Sequence, residues 1–360
     1  MLNADFYKCY HSASRVFELS VRLSLPCEGL TAVFGTSGSG KTSLIRNLAG
    51  LDNPDMGRIQ FNNQCWFDQK PRLPTYRRNI AYVFQENSLL DHLSVQGNIN
   101  FARKRSRNED STLYKETLSI LGIGELLGQQ PQQLSVGQQQ RVAIACAILS
   151  QPGLLLMDEP LASLDANRKK QILAYLKTLK SRLSFPVIYV SHALDEIAFL
   201  ADHVLYMEDG HIIEEGSLQN VLTRIGHEPA RAHDYGGVLC GEVCGRDKEW
   251  ALMHIQVGQV KFQLRDSGES IGEAVQVHLP AHNIGLSLTP PAISQLSYLN
   301  ILPAQIINIA GDDDPAFALV ELEYEKQRFY ARITRFSAQK MALATGVNVY
   351  ALIKSAAVLR

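Results

Sequence analysis

The chain has 360 residues, of which 46% are hydrophobic, and this length favours two domains that each bury a core. With 35 basic and 36 acidic residues the net charge is −1, so we expect no nucleic-acid partner. No apolar run approaches the roughly 18 residues of a spanning helix, no signal peptide is evident, and six scattered cysteines are expected as reduced thiols of a chain that is not exported.

A glycine-rich segment is the first chemical signal along the chain. The sequence GTSGSGKT follows the apolar run 30–34, precedes the helical pattern SLIRNLAGL, and meets G-x-x-x-x-G-K-[ST] in full. Glycines let backbone amides turn toward phosphate oxygens at the positive end of a helix. Because no N-K-x-D guanine-reading sequence occurs, ATP is the expected nucleotide. The predicted phosphate-binding residues are Gly35, Thr36, Ser37, Gly38, Ser39, Gly40, Lys41 and Thr42.

A second phosphate-binding surface is predicted further along the chain. In LSVGQQQRVAIACAIL, residues 134–149, Ser135 and Gly137 open a helix with an apolar face. A hydroxyl and free amides at a helix start favour phosphate. Since the phosphate loop already surrounds one side of its own nucleotide, this second surface is expected to serve the nucleotide of a partner molecule.

Two carboxylates follow a buried strand. The segment LLLMDEP, residues 154–160, is an apolar run typical of a central strand, and it ends in Asp158 and Glu159. Asp158 is expected to hold Mg²⁺ through water, together with the Thr42 hydroxyl. Glu159 is expected to polarise the water that attacks the γ-phosphate.

These segments together resemble the ATP-binding cassette family. The matching segments, in family order, are the phosphate loop 35–42, the glutamine loop at Gln85, the signature 134–138, the acidic strand 154–159, the SLD loop 163–165 and the switch histidine His192. The resemblance implies an α/β fold, a P-loop NTPase cassette with a helical subdomain at about residues 86–150. The chain departs from the usual signature at Val136, where glycine is common.

The resemblance also implies a mechanism and a dimer. Glu159, His192 and Gln85 would be catalytic, and Gln85 would join the Mg²⁺ site. In a head-to-tail homodimer, the signature of one copy would close over the ATP of the other through Ser135, Gly137 and Gln138. Asp165 is the matching residue of the SLD loop. An aromatic ring near the N-terminus commonly stacks on adenine in this family, and Tyr10 is the nearest candidate.

The segment 84–99, FQENSLLDHLSVQGNI, is similar to importer subunits of this family. In those subunits the stretch after the glutamine packs against a helix of a membrane permease. The similarity implies a peripheral protein at the cytoplasmic face of the bacterial inner membrane, docked beneath two permease subunits. The cassette is expected to span residues 1–228 and to be completed by a hairpin at 204–213, where an Asp-Gly turn separates two apolar runs.

Residues 235–360 predict a β-rich regulatory region. Short alternating runs separated by turn residues suggest small OB-like barrels. The segments EAVQVHLPAHNIGL and TGVNVYALIKSAAVL also resemble each other, Val275 and Val277 answering Val347 and Val349, which favours two related modules.

Residues 295–360 resemble the molybdate-binding module called molbindin, and with the cassette match the whole resembles the ATPase subunit of molybdate ABC importers, fed by an external molybdate-binding protein. Lys354 and Ser355 match the family's oxyanion contacts, but Leu299 stands where the family often has arginine. Tungstate or sulfate as cargo, an oxyanion sensor without transport, and a barrel used only for dimer contacts remain alternatives. The acidic run 312–314 is expected as a solvated turn.

Overall fold

The computed structural model describes residues 1–11, 16–69, 73–86, 88–106, 110–180, 185–218, 220–221, 236–291, 297–312, 314–354 and 356–359. The chain divides into two units, Met1–Gly216 and Ser217–Arg360. The domain boundary expected near residue 228 lies outside the described residues.

A ten-stranded sheet organises the first unit. Its strands are β1 Leu2–His11, β2 Val16–Leu25, β3 Leu30–Gly35, β4 Met56–Phe61, β5 Gln64–Asp68, β6 Ile80–Val83, β7 Leu154–Asp158, β8 Val187–Val190, β9 His203–Glu208 and β10 His211–Gly216. They lie in the order β5-β4-β1-β2-β10-β9-β3-β8-β7-β6. The fully buried strands β3, β8 and β7 are parallel neighbours, so their carboxyl ends meet at one edge of the sheet.

The described helices of the first unit are α1 Lys41–Ala49, α2 Val95–Arg103, α3 Ser111–Leu121, α4 Val136–Leu149, α5 Ala166–Lys180 and α6 Leu194–Leu200. Helix α1 follows β3 through the glycine-rich loop, as predicted. Helices α2 and α3 both pack against α4, and all three lie within the segment expected to be helical. The predicted hairpin is confirmed, because β9 and β10 pair antiparallel across Asp209 and Gly210.

The core of the first unit follows from the strand patterns. In β2, Phe17 and every second residue after it face inward, and Leu19, Val21, Leu23 and Leu25 are buried there. The inward side chains of β1, β2, β4 and β5 join those of α1 and the central strands in one hydrophobic cluster. This cluster holds the strands in place, and the loops at the sheet edge extend from the ends of these strands.

The second unit is all-β apart from one short helix, α7 Arg335–Lys340, and one 3₁₀ turn, in the part of the chain that the structure describes from residue 236 onward. Its strands are β11 Gly237–Asp247, β12 Leu252–Val257, β13 Val260–Arg265, β14 Ala274–Leu279, β15 Ile284–Ser287, β16 Asn300–Gly311, β17 Phe317–Tyr324, β18 Gln327–Thr334, β19 Asn348–Ile353 and β20 Ala357–Leu359. They form two five-stranded sheets whose inner faces share one apolar cluster.

The internal repeat is confirmed, and the two halves exchange their last strands. The sheet orders are β13-β12-β11-β14-β20 and β18-β17-β16-β19-β15, so the last strand of each half joins the sheet of the other half. Both halves carry an irregularity in the same strand pair, near Gly245 between β11 and β12 and near Asn308 between β16 and β17. Exchange of the end strands ties the two halves into one core.

One expectation for this unit is wrong at Asp312. The acidic run does not start as a solvated turn, because the Asp312 side chain is only 1% exposed and both of its oxygens accept hydrogen bonds from the Arg332 guanidinium, at 2.7 and 2.9 Å. Such a bidentate pair satisfies a buried carboxylate. Asp314 caps the following turn through the amide of Ala316. Within the described residues no group of three metal-ligating side chains is found.

All six cysteines are free in the structure. Among the described residues, no helix combines the length and apolar content that crossing a bilayer requires.

Candidate functional site

The glycine-rich loop wraps around the ammonium group of Lys41. Lys41 lies in the first turn of α1 with 8% of its surface exposed, and its Nζ donates to the carbonyl oxygens of Gly35 at 2.9 Å and Thr36 at 2.7 Å. Burial lowers its pKa, an effect that the nearby carboxylates of Glu159 and Asp158 oppose. Nζ also donates to the Ser39 hydroxyl at 3.4 Å. We expect an ammonium held by neutral oxygens of the loop to exchange them for charged phosphate oxygens.

Glycine is required at the start of α1. Gly40 has φ 97°, and a Cβ there would lie 2.8 Å from Cζ of Phe17. Gly35 is equally restricted, because its Cβ would lie 2.0 Å from the carbonyl oxygen of Met207. Both glycines therefore let the loop backbone pass close to residues of β2 and β9.

Asp158, the last residue of β7, lies beside Thr42 of the phosphate loop. Asp158 is 3% exposed, and its two oxygens accept hydrogen bonds from the Thr42 hydroxyl at 3.1 Å and the Tyr82 hydroxyl at 3.2 Å. Burial raises the pKa of Asp158, while these two hydrogen bonds lower it. The carboxylate therefore orients the Thr42 hydroxyl.

The second acidic residue gathers two other predicted site residues. Glu159 accepts a hydrogen bond from Nε2 of Gln85 at 3.4 Å, and its other oxygen lies 3.2 Å from Nδ1 of His192. Glu159 has φ 44°, a left-handed conformation that costs a non-glycine residue roughly 1–2 kcal/mol. Local strain of this kind is typical of functional positions. Three residues from distant parts of the chain, Gln85, Glu159 and His192, thus converge.

These residues open onto one cavity of about 600 Å³. Its walls include residues of the phosphate loop together with Gln85, Glu159 and His192. The lining residues are Phe17, Ser37, Gly38, Gly40, Lys41, Thr42, Ser43, Gln85, Glu159 and His192. A lining that combines hydrogen-bond donors with a carboxylate and an imidazole suits a phosphate chain whose terminal group is to react.

The aromatic residue at this cavity is Phe17, not Tyr10. The Tyr10 hydroxyl accepts from the Asn47 amide at 2.8 Å and donates to Asp52 at 3.2 Å, which turns it toward α1. Phe17 lies directly opposite Tyr10 in the β1–β2 pair and lines the cavity. The inward alternation of β2 was the signal in the sequence that could have found it.

The signature segment forms a capped helix start outside this cavity. Oγ of Ser135 accepts from the Gln138 amide at 3.3 Å, and the Gln138 side chain accepts from the Ser135 amide at 2.8 Å. Val136 is 66% exposed, so its side chain leaves the cap undisturbed. The described residues that line the cavity include none of these three.

The signature packs against the SLD loop. A Cβ on Gly137 would lie 3.2 Å from a methyl of Leu164. Asp165 is exposed and caps α5, accepting from the amides of Asn167 at 3.1 Å and Arg168 at 3.0 Å. The signature and the SLD loop therefore share one surface.

A second cavity, of about 520 Å³, adjoins the first through the backbone. Phe84 lines this groove, and the next residue, Gln85, lines the nucleotide cavity. The groove is bounded by β6, by Leu89 and Leu90, and by parts of α2 and α4. Tyr76 and Phe101 on its rim are 76% and 47% exposed. Exposed aromatic rings around a groove are typical of a protein docking site.

The expected oxyanion contacts are only partly described. Lys354 is exposed, and Ser355 lies outside the described residues. Leu299 is 58% exposed. The neighbouring Asn300 is buried and serves the fold, since its amide exchanges hydrogen bonds with the backbone of Gln263 at 2.7 and 3.0 Å.

Two family models match this chain, one in each unit. The ABC transporter family model matches residues 19–162, and the TOBE domain model matches residues 296–359. A molybdenum import ATP-binding protein, ModC, of Thiobacillus denitrificans is 44% identical, covering 95% of this chain and 94% of its own length. The chain belongs to this family of ABC transporter ATPases. The ModC of Methylococcus capsulatus is 40% identical over 99% of both chains.

Family membership gives the chain its activity: it binds and hydrolyses ATP within a transporter. Among solved structures, the ATP-binding cassette MJ0796, a dimer bound to ADP and Pi, is 27% identical with a TM-score of 0.53. The match covers 61% of this chain and 99% of that one. The cassette fold predicted from the motifs is confirmed, as is the all-β C-terminal region.

Proposed function

We propose that this chain is the ATP-hydrolysing subunit of a molybdate importer. It acts as a homodimer docked beneath two permease subunits at the cytoplasmic face of the bacterial inner membrane, and an external molybdate-binding protein delivers the cargo. The observation that carries the proposal is the full-length match, cassette and TOBE domain together, to molybdenum import ATP-binding proteins.

Hydrolysis relies on residues that line the same cavity. Lys41 and the loop amides bind the β- and γ-phosphates, and Phe17 stacks on the adenine. Glu159 accepts a proton from the attacking water and orients it. His192 and Gln85 hold the terminal phosphate and the water in line. The 3.2 and 3.4 Å contacts of Glu159 with these two side chains support this division of roles.

Magnesium fits the residues present. Mg²⁺ prefers oxygen ligands, and the Thr42 hydroxyl and Asp158 carboxylate lie 3.1 Å apart beside the phosphate loop. Thr42 and Gln85 would hold the ion directly and Asp158 through water. When bound, Mg²⁺ supplies positive charge that neutralises the phosphate oxygens.

The dimer completes a site that a single chain leaves open. Ser135, Gly137 and Gln138 lie outside the cavity of their own chain, yet they present a helix start to solvent. The partner's ATP is the ligand that this surface fits. Asp165, beside the signature, contacts the partner across the same interface.

The groove beside Gln85 is the proposed permease contact, and a substitution of Phe101 tests this assignment. Phe101→Asp places a charge in an apolar contact, so we expect the complex with the permease to be lost and ATP-driven uptake with it. Hydrolysis by the isolated subunit should stay at the parent rate, because Phe101 lines the groove and not the nucleotide cavity. Co-purification with tagged permease and uptake in cells provide the measurements.

Ile120→Asp is the matched control, since Ile120 is also an exposed apolar residue, on α3, away from the groove. If Phe101→Asp and Ile120→Asp behave alike in assembly and uptake, the groove is not the permease contact.

The cargo is tested by uptake with the full complex. Vesicles that contain the permease, this subunit and the binding protein should accumulate molybdate in an ATP-dependent manner, and excess unlabelled sulfate should leave this uptake unchanged. A system that carries sulfate in preference contradicts the assignment of molybdate.

Tungstate remains the second candidate cargo, as an equally large tetrahedral dianion. The exposed apolar side chain of Leu299 offers no positive charge to an oxyanion, so this position does not favour molybdate over tungstate. Thermal unfolding of the full chain with molybdate, tungstate or sulfate compares the three ions. A sensor without transport would show negligible hydrolysis even with the permease present.

A further inference from the structure

A buried carboxylate lies beneath the His192 loop. Glu196, in the first turn of α6, is only 3% exposed. Its Oε2 accepts hydrogen bonds from the Tyr189 hydroxyl at 2.5 Å and from Oγ of Ser191 at 2.9 Å. Its Oε1 forms an ion pair with Nζ of Lys169, on α5. Burying a charge is costly unless it is fully paired, so this arrangement is either essential to the local fold or used by the site.

One side of this cluster fixes the residues that flank His192. Besides donating to Glu196, Oγ of Ser191 accepts from the Ala193 amide at 3.0 Å. Ser191 also donates its own amide to the carbonyl of Val33, in the strand that leads into the phosphate loop. The His192 side chain itself is 66% exposed. Its position therefore depends on the fixed backbone on either side of it.

The other side of the cluster reaches the SLD loop. Lys169 lies in the first turn of α5, where its amide donates to the carbonyl of Asp165 at 2.9 Å. Asp165 in turn caps this helix. The helix hydrogen bond and the ion pair of Lys169 therefore connect Asp165 to Glu196.

We propose that Glu196 is a positioning residue that joins the His192 loop to the Asp165 loop. The proposal rests on the function given above, in which His192 contacts the γ-phosphate and Asp165 faces the partner copy. Through Glu196, His192 is held in its working position when the partner has docked against Asp165. Glu196 does not line the nucleotide cavity, so it influences the rate of hydrolysis without contributing to ATP affinity.

The test is Glu196→Gln, which keeps a hydrogen-bond acceptor for the two hydroxyls and removes the charge that pairs with Lys169. We expect kcat for ATP hydrolysis to fall roughly ten- to a hundredfold, as for a misplaced reactive group, with KM and the Kd for ATP within about twofold of the parent. Lys169→Met should lower kcat in the same manner. Glu125→Gln, at an exposed glutamate, is the matched control and should leave kcat unchanged.

Ser191→Ala keeps the test sound if Glu196→Gln fails to fold. It removes one contact beside His192, and we again expect a lower kcat at unchanged KM. A kcat at the parent rate in Ser191→Ala or Glu196→Gln overturns the proposal, as does a parallel loss of ATP affinity and unfolding temperature in both. A normal kcat in Lys169→Met overturns the link to Asp165. The proposed function is tested by a different variant, because hydrolysis by Glu159→Gln near the parent rate would contradict it whatever the outcome at Glu196.

Discussion

Glu159→Gln is expected to stop ATP hydrolysis while leaving ATP binding intact. Removing the carboxylate that accepts the proton from water should lower kcat by about 10²- to 10⁴-fold. Glutamine has the same shape and still reaches Gln85 and His192, so the cavity keeps its form. With hydrolysis blocked, the protein should accumulate as an ATP-bound dimer. Phosphate release and light scattering after gel filtration, with and without ATP, measure the two effects.

Glu125→Gln gives the control for the loss of a negative charge, because Glu125 is exposed and far along the chain from the acidic strand. It should hydrolyse ATP at the parent rate and form no trapped dimer. Hydrolysis by Glu159→Gln near the parent rate would remove Glu159 from the mechanism.

Lys41→Met is expected to abolish useful ATP binding. In the proposed mechanism the Lys41 ammonium exchanges its loop partners for phosphate oxygens when ATP binds, and a hydrogen bond to a charged group contributes about 1.5–3 kcal/mol. The Kd for ATP should therefore rise roughly ten- to a hundredfold, and hydrolysis should fall with it. Equilibrium binding of a fluorescent ATP analogue measures the change.

The unfolding temperature separates this effect from a loss of structure. Burial lowers the pKa of Lys41, so the folded protein without nucleotide gains little from the charge, and methionine of similar length should keep the fold. Lys115→Met, at an exposed lysine of α3, is the matched control. Unchanged ATP affinity in Lys41→Met would contradict the role of the phosphate loop.

The parts of the site that lie on local sequence patterns were predictable. The loop 35–42 needs glycines between a strand and a helix, and the structure has them between β3 and α1. Ser135 was predicted to open a helix because an apolar face at helical spacing follows it, and the structure adds that Ser135 and Gln138 form a capping box there. Asp158 ends a buried parallel strand, as its apolar run indicated.

Contacts between distant segments were not predictable from these patterns. Tyr10 and Phe17 face each other across two strands, and only the hydrogen bonds of Tyr10 with Asn47 and Asp52 show which ring is left for the cavity. From its acidic neighbours in the sequence, Asp312 was predicted to be solvated. Its partner Arg332 lies 20 residues further on, in β18, and is brought there by the sheet.

The exchange of end strands in the second unit illustrates the same limit. The resemblance of the segments around Val277 and Val349 indicated a repeat, and both residues are buried in corresponding strands, β14 and β19. Sequence similarity carries no information on which sheet receives the last strand of each half. The pairings β14–β20 and β15–β19 decide it.

The central claim is that ATP is enclosed between the phosphate loop of one copy and the Ser135 segment of another. A structure of the Glu159→Gln protein with ATP and Mg²⁺ tests it most directly. We expect two copies related head to tail, with Oγ of Ser135 within hydrogen-bonding distance of the γ-phosphate bound by the other copy. A nucleotide-loaded chain whose Ser135 faces solvent, with no second copy opposite, would contradict the account.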